Sequence, residues 1–497
     1  MATLPHNFTP RRSTRIAKAD RGLDSESKAK RVLLLCLGLT KDDEPLSDEV
    51  MVKYNKLFEH PLAVDVVRVF AEFYGWQESK LALVSSVLVC ETLGPAFDKF
   101  FWLPAEGTRG GIILAWNSDR VALSNPSIGD HHVSATALDV GAELGVPTYF
   151  FFTTCIGSVA FGLYHPVIDE RTTLGFGDMG GDPVHAPGLP PIPADHLAGA
   201  IQDRESLSNR HFVDLGLRMC DSMGVLVNGC RSLEPAAADA IVAGLCNPQC
   251  RPTPPLYCVG PLMKHGEETG ASKRHECLAW LDGQPDASVV FLCFGSMGRF
   301  SAEQVKEIAA GLETSGQRFL WVVRRPPPPG AERRPPADGD DDGDIDELFP
   351  EGFLQRTKDR GLVVMSLTSW APQRQVLAHG AVGGFVTHCG WNSVLEAIMA
   401  GVPMLAWPLY AEQRMNRVFL VEEMRLAVPM EGYDKKMVES DEVAAKVRWL
   451  IESDGGREFR QRTRAAMRLA EEAVGDSGES RAALVDLARQ WKSAAHS

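Results

Sequence analysis

One stretch of the chain, VTHCGWNSVLEA at residues 386–397, gathers residue types that could bind an anion. It reads as the end of a buried strand, a turn and the first turns of a helix. A helix N-terminus presents unpaired backbone N–H groups and a partial positive charge, which together favour a phosphate. His388, Asn392 and Ser393 can add side-chain donors. The corner therefore suits a diphosphate without needing a basic surface.

The same corner also allows a purely structural interpretation. Ser393 and Glu396 have the spacing of a capping box, in which both side chains serve their own helix. Trp391, taken alone, is more typical of a core than of a ligand platform. On these residues alone, both interpretations stay open.

Length, charge and cysteine content narrow the class of protein. A chain of 497 residues exceeds one ordinary core, so we expect two domains and room for an appendage. The net charge of −14 disfavours a nucleic-acid binder, because phosphate backbones attract positive surfaces. The 11 cysteines lack zinc-site spacing and no signal peptide is visible. We therefore expect reduced thiols in a cytoplasmic protein.

The longest uncharged run, residues 145–164, is long enough to be weighed as a membrane span. Its proline, glycines and threonines favour a buried strand followed by a helix, so we expect no membrane span.

From about Glu276 onward, apolar strands alternate with helices. Strands are predicted at residues 288–296, 318–323, 361–366, 383–389 and 402–408, and helices at residues 301–316, 372–380 and 393–401. The first helix opens with a Ser301/Gln304 capping box. Near-continuous apolar strands indicate a parallel sheet covered on both faces. The pattern predicts a Rossmann-like α/β domain that binds its ligand at the carboxyl ends of the strands.

Residues 324–352 interrupt this pattern with a run rich in proline and aspartate. Such a composition buries little apolar surface and predicts a mobile surface loop. Its DGDDDGD cluster lacks the terminal glutamate of a calcium loop, so a solvated charge run is the interpretation we adopt.

Residues 370–413, WAPQRQVLAHGAVGGFVTHCGWNSVLEAIMAGVPMLAWPLYAEQ, closely resemble the signature box of plant UDP-dependent glycosyltransferases of secondary metabolism. The match is ungapped. The stretches ALDVGAELGVPTYFFFTT, VHAPGLPPIPADHL, YCVGPL and LDGQPDASVVFLCFGSMG resemble members that glycosylate flavonoids and related phenols. The resemblance implies the GT-B fold, an α/β architecture of two facing Rossmann-like domains, with the sugar nucleotide in the C-terminal one.

The resemblance also implies a UDP-sugar-binding set. Trp370 is expected to stack on the uracil, beside the backbone of Ala371 and the side chain of Gln373. Glu396 is expected to bind the ribose hydroxyls. The remaining members are Ser296, His388, Asn392 and Ser393 around the diphosphate, Gly390 and Trp391 beside them, and Glu412 and Gln413 at the sugar. The closing glutamine favours UDP-glucose as co-substrate, with a phenolic or flavonoid acceptor, no cofactor and no metal.

The chain departs from the family where the catalytic base is expected. In the family, a histidine after the first strand removes the acceptor proton, and an aspartate before the ALDV helix orients it. Here the early apolar strand, RVLLLCLGL, is followed by acidic residues and a proline. The orienting position falls on His131, and Asp130 could serve there only with a one-residue shift. The candidates for a substitute base are His131 and His132. The resemblance implies a UDP-dependent glycosyltransferase that transfers a hexose, with inversion, to a hydroxyl of a phenolic or flavonoid molecule, and we expect this activity to be lost or impaired because the base is missing. The alternative is a UDP-sugar-binding remnant of a chimeric gene.

These resemblances divide the chain into four parts. Residues 1–127 resemble a plant non-LTR retroelement endonuclease fragment, in which Glu78 matches a metal-binding glutamate. One carboxylate cannot assemble a two-metal phosphodiester site, so no nuclease is expected. Residues 128–262 would form a truncated N-terminal Rossmann-like domain, residues 263–476 the UDP-sugar-binding domain, and residues 477–497 a helix packing back on the N-terminal side. We expect a monomer.

Overall fold

A computed structural model describes residues 99–103, 112–116, 138–139, 141–142, 145–248, 251–263, 275–327, 345–365, 372–435 and 437–494. The chain forms two compact units, Met1–Val133 and Ser134–Ser497. In the first unit, strands β1 (Lys99–Leu103) and β2 (Ile112–Trp116) pair antiparallel. Several predictions fall on residues outside the described ranges, namely those for Glu78, Asp130, His131, His132, Trp370 and Ala371.

The second unit contains the remaining strands and the helices around them. The strands are β3 (Tyr149–Phe152), β4 (Pro183–Val184), β5 (Ile192–Pro193), β6 (Gly224–Val227), β7 (Leu256–Cys258), β8 (Val289–Cys293), β9 (Arg318–Val323), β10 (Gly361–Met365), β11 (Val382–Thr387), β12 (Met404–Ala406) and β13 (Ala427–Pro429). The α-helices are α1 (Ile156–Arg171), α2 (Phe176–Met179), α3 (Leu207–Asp221), α4 (Pro235–Val242), α5 (Glu276–Leu281), α6 (Ala302–Ser315), α7 (Phe353–Thr357), α8 (Gln373–Leu377), α9 (Trp391–Met399), α10 (Gln413–Val418), α11 (Ser440–Glu452), α12 (Asp454–Val474) and α13 (Glu479–Ala494). Short 3-10 helices occupy Ala194–His196, Gly199–Ile201 and Ile345–Leu348, and a π-helix occupies Phe419–Glu423.

The six-stranded sheet has the order β10-β9-β8-β11-β12-β13, and its strands pair in parallel. Strand β9 shows how both faces are covered. Leu320 and Val322 belong to a core cluster shared with α9 and α12. Phe319, Trp321 and Val323 point the other way, into a cluster shared with α6 and α11. The predicted parallel, doubly covered Rossmann-like sheet is confirmed.

A three-stranded parallel sheet has the order β3-β6-β7. Helices α1 and α4 pack on it through a further apolar cluster that includes Leu163 and Ile241. The predicted strand followed by a helix in residues 145–164 is therefore confirmed as β3 and α1. Within the described ranges, no helix has both the length and the apolarity to cross a bilayer.

The last helix, α13, lies on β7. Leu487 is buried against Tyr257 and Val259, and the Tyr257 hydroxyl donates a 2.9 Å hydrogen bond to Oε1 of Gln490. The ring of Trp491 meets that of Tyr149 edge-on. The C-terminal segment thus contacts the three-stranded sheet through apolar, aromatic and polar groups.

The prediction of a mobile surface loop at residues 324–352 is wrong at both ends. Arg324 is buried directly after β9, and Leu348 and Phe349 pack in the core cluster of α6. The ring of Phe349 lies 5.5 Å from that of Trp321, centroid to centroid. The apolar residues that follow the acidic run cover this face of the sheet. The proline-rich and aspartate-rich composition of the run did not predict this packing. Residues 328–344 lie outside the described ranges.

Candidate functional site

The corner between β11 and α9 is built by a tight turn at the carboxyl edge of the sheet. Cys389 has a left-handed backbone with φ of 64°, and Gly390 is the N-cap of α9 without a side-chain cap bond. The helix therefore begins two residues before Ser393. The capping-box interpretation of Ser393 and Glu396 is wrong, because neither residue stands at the position from which it could cap the helix.

His388 fills the turn. Its ring is so closely enclosed that a Cβ placed on Gly295 or on Gly390 would lie 2.5 Å from its Nε2. Burial lowers the pKa of His388 to about 4, so the imidazole is neutral at pH 7. Its Nδ1 is buried and has no hydrogen-bond partner among the described residues. The turn thus holds a neutral, unsatisfied ring nitrogen beside the N-terminus of α9.

A hydrogen-bonded cluster joins three of the predicted site residues. Nε2 of Gln373, the first residue of α8, donates to Oγ of Ser393 at 2.9 Å and to Oε2 of Glu396 at 2.6 Å. Burial raises the pKa of Glu396, while the Gln373 donor and the nearby charge of Arg374 lower it. Gln373 therefore fixes the orientation of the Glu396 carboxylate at the first turns of α9.

Glu412 and Gln413 open the next helix along the sheet edge, α10. The side chain of Gln413 is fully buried, and its Oε1 accepts from the backbone N–H groups of Leu409 and Tyr410 at 2.9 and 3.0 Å. Its Nε2 has no hydrogen-bond partner within the described ranges. Burial raises the pKa of Glu412, partly offset by donors that include Asn416. One amide donor and one carboxylate are thus available at this edge.

Three other predicted residues differ in what they contact. Trp391 is buried, and its Nε1 donates a 2.7 Å hydrogen bond to the carbonyl oxygen of Asn228, at the end of β6. Asn392 is exposed on the first turn of α9, and Ser296 is half-buried in the loop after β8. Trp391 therefore ties α9 to the three-stranded sheet, and its role as a ligand stays a prediction.

Sequence reasoning missed a buried carboxylate at the N-terminus of α1. Glu234 accepts from the backbone N–H of Gly157 at 2.9 Å and of Ile156 at 3.1 Å, which satisfies the first turn of α1. Burial raises its pKa to about 7. No local pattern could have revealed this, because the partners are 77 and 78 residues apart.

The family described as "UDP-glucoronosyl and UDP-glucosyl transferase" matches residues 263–455. A phloretin 2'-O-glucosyltransferase of Pyrus communis is 47% identical over 361 residues, which cover 71% of this chain and 74% of the relative. The chain belongs to the UDP-glycosyltransferase family. An anthocyanidin 5,3-O-glucosyltransferase of a Rosa hybrid cultivar is 46% identical over 354 residues, covering 71% of this chain and 72% of the relative.

The GT-B prediction is confirmed by the structural neighbours of this UDP-glycosyltransferase. The UGT2 of Phytolacca americana, complexed with UDP-2fluoro-glucose and pterostilbene, matches with a TM-score of 0.63 and 38% identity. That match covers 72% of this chain and 74% of the neighbour. The fold and the family therefore agree on an enzyme of the glycosyltransferase class.

Proposed function

We propose that this UDP-glycosyltransferase binds UDP-glucose at the β11–α9 corner and transfers the glucose to a hydroxyl of a phenolic or flavonoid acceptor. The observation that carries the proposal is the Gln373–Ser393–Glu396 cluster, which places an oriented carboxylate beside a helix N-terminus and a buried neutral imidazole. The names of the relatives, which act on phloretin and anthocyanidin, support the acceptor class.

Each group of the corner has a distinct chemical task in this proposal. Glu396 accepts hydrogen bonds from the ribose hydroxyls, and Trp370 stacks on the uracil beside Ala371. The N–H groups of α9 and the Nδ1 of His388 face the diphosphate. As the anomeric C–O bond breaks, these donors stabilise the negative charge on the departing UDP.

Transfer also needs a base for the acceptor. The acceptor oxygen attacks the anomeric carbon, UDP leaves with the bonding electron pair, and the acceptor proton must pass to a basic group. The base candidates in this chain are His131 and His132, with Asp130 as a candidate to orient them, and all three lie outside the described ranges. Because the histidine expected after the early apolar strand is missing, a UDP-sugar-binding protein without transfer is the second candidate function.

Calorimetry of the full chain with UDP, followed by mass spectrometry of reactions containing UDP-glucose and phloretin, tests the proposal. Binding of UDP with formation of a glucoside is the expected result. Binding without a glucoside would select the second candidate. The absence of UDP binding would refute both.

The carboxylate itself is tested by Glu396→Ala. This change should weaken UDP binding by about tenfold or more, because a charge-assisted hydrogen bond is lost. The fold should persist, since Gly390 is the N-cap of α9. Glu471→Ala, on the exposed face of α12, is the matched control and should bind UDP as the unmodified chain does.

A further inference from the structure

Tyr410 lies in the loop between β12 and α10 with its polar end directed inward. Although the residue is half-buried, its hydroxyl oxygen is buried and has no hydrogen-bond partner among the described residues. A partly exposed tyrosine ordinarily keeps its ring against apolar groups and its hydroxyl in water. The inverted orientation therefore requires a reason other than solvation.

The surroundings of this hydroxyl are those of the donor site. The ring of Tyr410 lies 6.2 Å from that of His388, centroid to centroid. Its backbone N–H is held by Oε1 of Gln413 at 3.0 Å. Burial raises the pKa of Tyr410 to about 12, partly offset by the Gln413 side chain and the backbone N–H of Met297, neither of which meets the hydroxyl with hydrogen-bond geometry. The phenol is thus a neutral hydrogen-bonding group.

Tyr410 completes a set of three unsatisfied polar atoms. His388 Nδ1, Gln413 Nε2 and the Tyr410 hydroxyl are all buried without a hydrogen-bond partner in the described part of the chain. Leaving one such atom unsatisfied costs roughly 1–3 kcal/mol. Three of them around one loop indicate a place that a polar ligand occupies.

We propose that Tyr410 is a further sugar-binding residue, whose hydroxyl bonds the hexose hydroxyls of the UDP-sugar together with Nε2 of Gln413. The proposal rests on the proposed function, because it requires a UDP-sugar at this corner. The proposal places the Tyr410 hydroxyl at the sugar and not at the diphosphate. The reason is that Oε1 of Gln413 accepts the backbone N–H of Tyr410, and Nε2 of Gln413 is the neighbouring donor.

The test compares the full chain with Tyr410→Phe, using calorimetric titrations with UDP and with UDP-glucose. The variant should lose about tenfold in UDP-glucose affinity, as for one buried hydrogen bond, and less than about twofold in UDP affinity. Its unfolding midpoint without ligand should stay equal or rise, because an unsatisfied hydroxyl has been removed.

Tyr257→Phe is the matched control, since the Tyr257 hydroxyl is satisfied by Gln490. It should lower the unfolding midpoint and leave both affinities unchanged. Equal losses of UDP and UDP-glucose in Tyr410→Phe would place the hydroxyl at the diphosphate and overturn the proposal. A lowered midpoint with unchanged UDP-glucose affinity would also overturn it. If the unmodified chain binds neither UDP nor UDP-glucose, both the proposed function and the role of Tyr410 are refuted. If the unmodified chain binds both, a contrary result in Tyr410→Phe refutes only the role of Tyr410.

Discussion

The imidazole of His388 lies in space that is free only because Gly295 and Gly390 have no side chains. Gly295 has a left-handed backbone with φ of 74°, and a Cβ added there would meet Nε2 of His388 at 2.5 Å. Any side chain would therefore push the ring out of the turn. The position of a ring nitrogen at the N-terminus of α9 therefore depends on a residue in a different loop.

Gly295→Ala should lower UDP affinity by about tenfold or more, because the displaced imidazole no longer presents Nδ1 to the ligand. Gly316→Ala is the control. Gly316 also has a left-handed φ, 71°, but nothing lies within 4 Å of an added Cβ. Both changes should cost about 1 kcal/mol in stability through backbone strain, Gly295→Ala should cost more because it also displaces a buried ring, and only Gly295→Ala should affect UDP binding in calorimetry. Similar UDP affinities in the two variants would contradict this role of Gly295.

At the scale of elements, the π-helix Phe419–Glu423 packs against the first turn of α1. A Cβ on Gly157 would lie 2.9 Å from the Phe419 ring, so the two elements are in direct contact. Both carboxylate oxygens of Glu423 are buried and lack a hydrogen-bond partner within the described ranges. Burial raises the pKa of Glu423 to about 7, and its charge adds to the raised pKa of Glu234. This contact is therefore most favourable when the carboxyls are protonated.

The sign of the pH dependence follows from these raised pKa values. An unfolded glutamate titrates near pH 4.3, so the stability associated with protonated Glu423 is complete below that pH and is lost as the pH rises through about 7. Glu423→Gln should therefore reduce the fall in unfolding midpoint between pH 5 and pH 8. At pH 8 the gain should be on the order of 1 kcal/mol, discounted for partial solvent access.

Glu422→Gln, at the exposed neighbouring position, serves as the control in the same thermal scans. It should leave the pH dependence of the unmodified chain in place. Parallel midpoint curves for Glu423→Gln and the unmodified chain would show that this carboxyl does not titrate in the range given.

Elements with a local pattern could be predicted from the sequence. The apolar strands β8–β12 and helices α6, α8 and α9 follow from periodicity, because each buries its own side chains, whereas the short α7 after the acidic run was not predicted. The capping box of α6 is only half formed. Ser301 accepts from the backbone N–H of Gln304 at 3.2 Å, whereas the Gln304 side chain bonds the backbone of Val438, 134 residues away. Such a competing partner is invisible to a local pattern.

For the candidate site, the sequence predicted some of the residues but not the contacts that they make. The resemblance selected Gln373, Ser393 and Glu396, and the structure brings them together. It did not reveal that Trp391 bonds Asn228, or that the hydroxyl of Tyr410 is directed inward. These features depend on how distant elements pack, and residue types at fixed spacing carry no information about them.

At the scale of the whole molecule, α13 returns the end of the chain to the three-stranded sheet. Leu487 is 1% exposed against Tyr257 and Val259, whereas Leu484 on the same helix is 40% exposed. Leu487→Ala should lower the unfolding free energy by about 2–4 kcal/mol through the cavity it leaves. Leu484→Ala makes the same chemical change on the solvent side and should have little effect. Equal midpoints in thermal unfolding of the two variants would mean that α13 contributes no core packing.

The hydrogen bond from Trp391 to Asn228 has a consequence for the proposed function, because it could let the UDP-sugar and the acceptor change each other's binding affinity. Asn228 also holds the backbone of Leu262, where its Oδ1 accepts the N–H at 2.6 Å. The first turn of α9, the three-stranded sheet and the segment after β7 therefore share one anchored residue. We expect a UDP-sugar that shifts α9 to change the free energy of the three-stranded sheet through Asn228. If the acceptor of the proposed function binds against that sheet, thermodynamic reciprocity requires it to change the affinity for the UDP-sugar by the same factor.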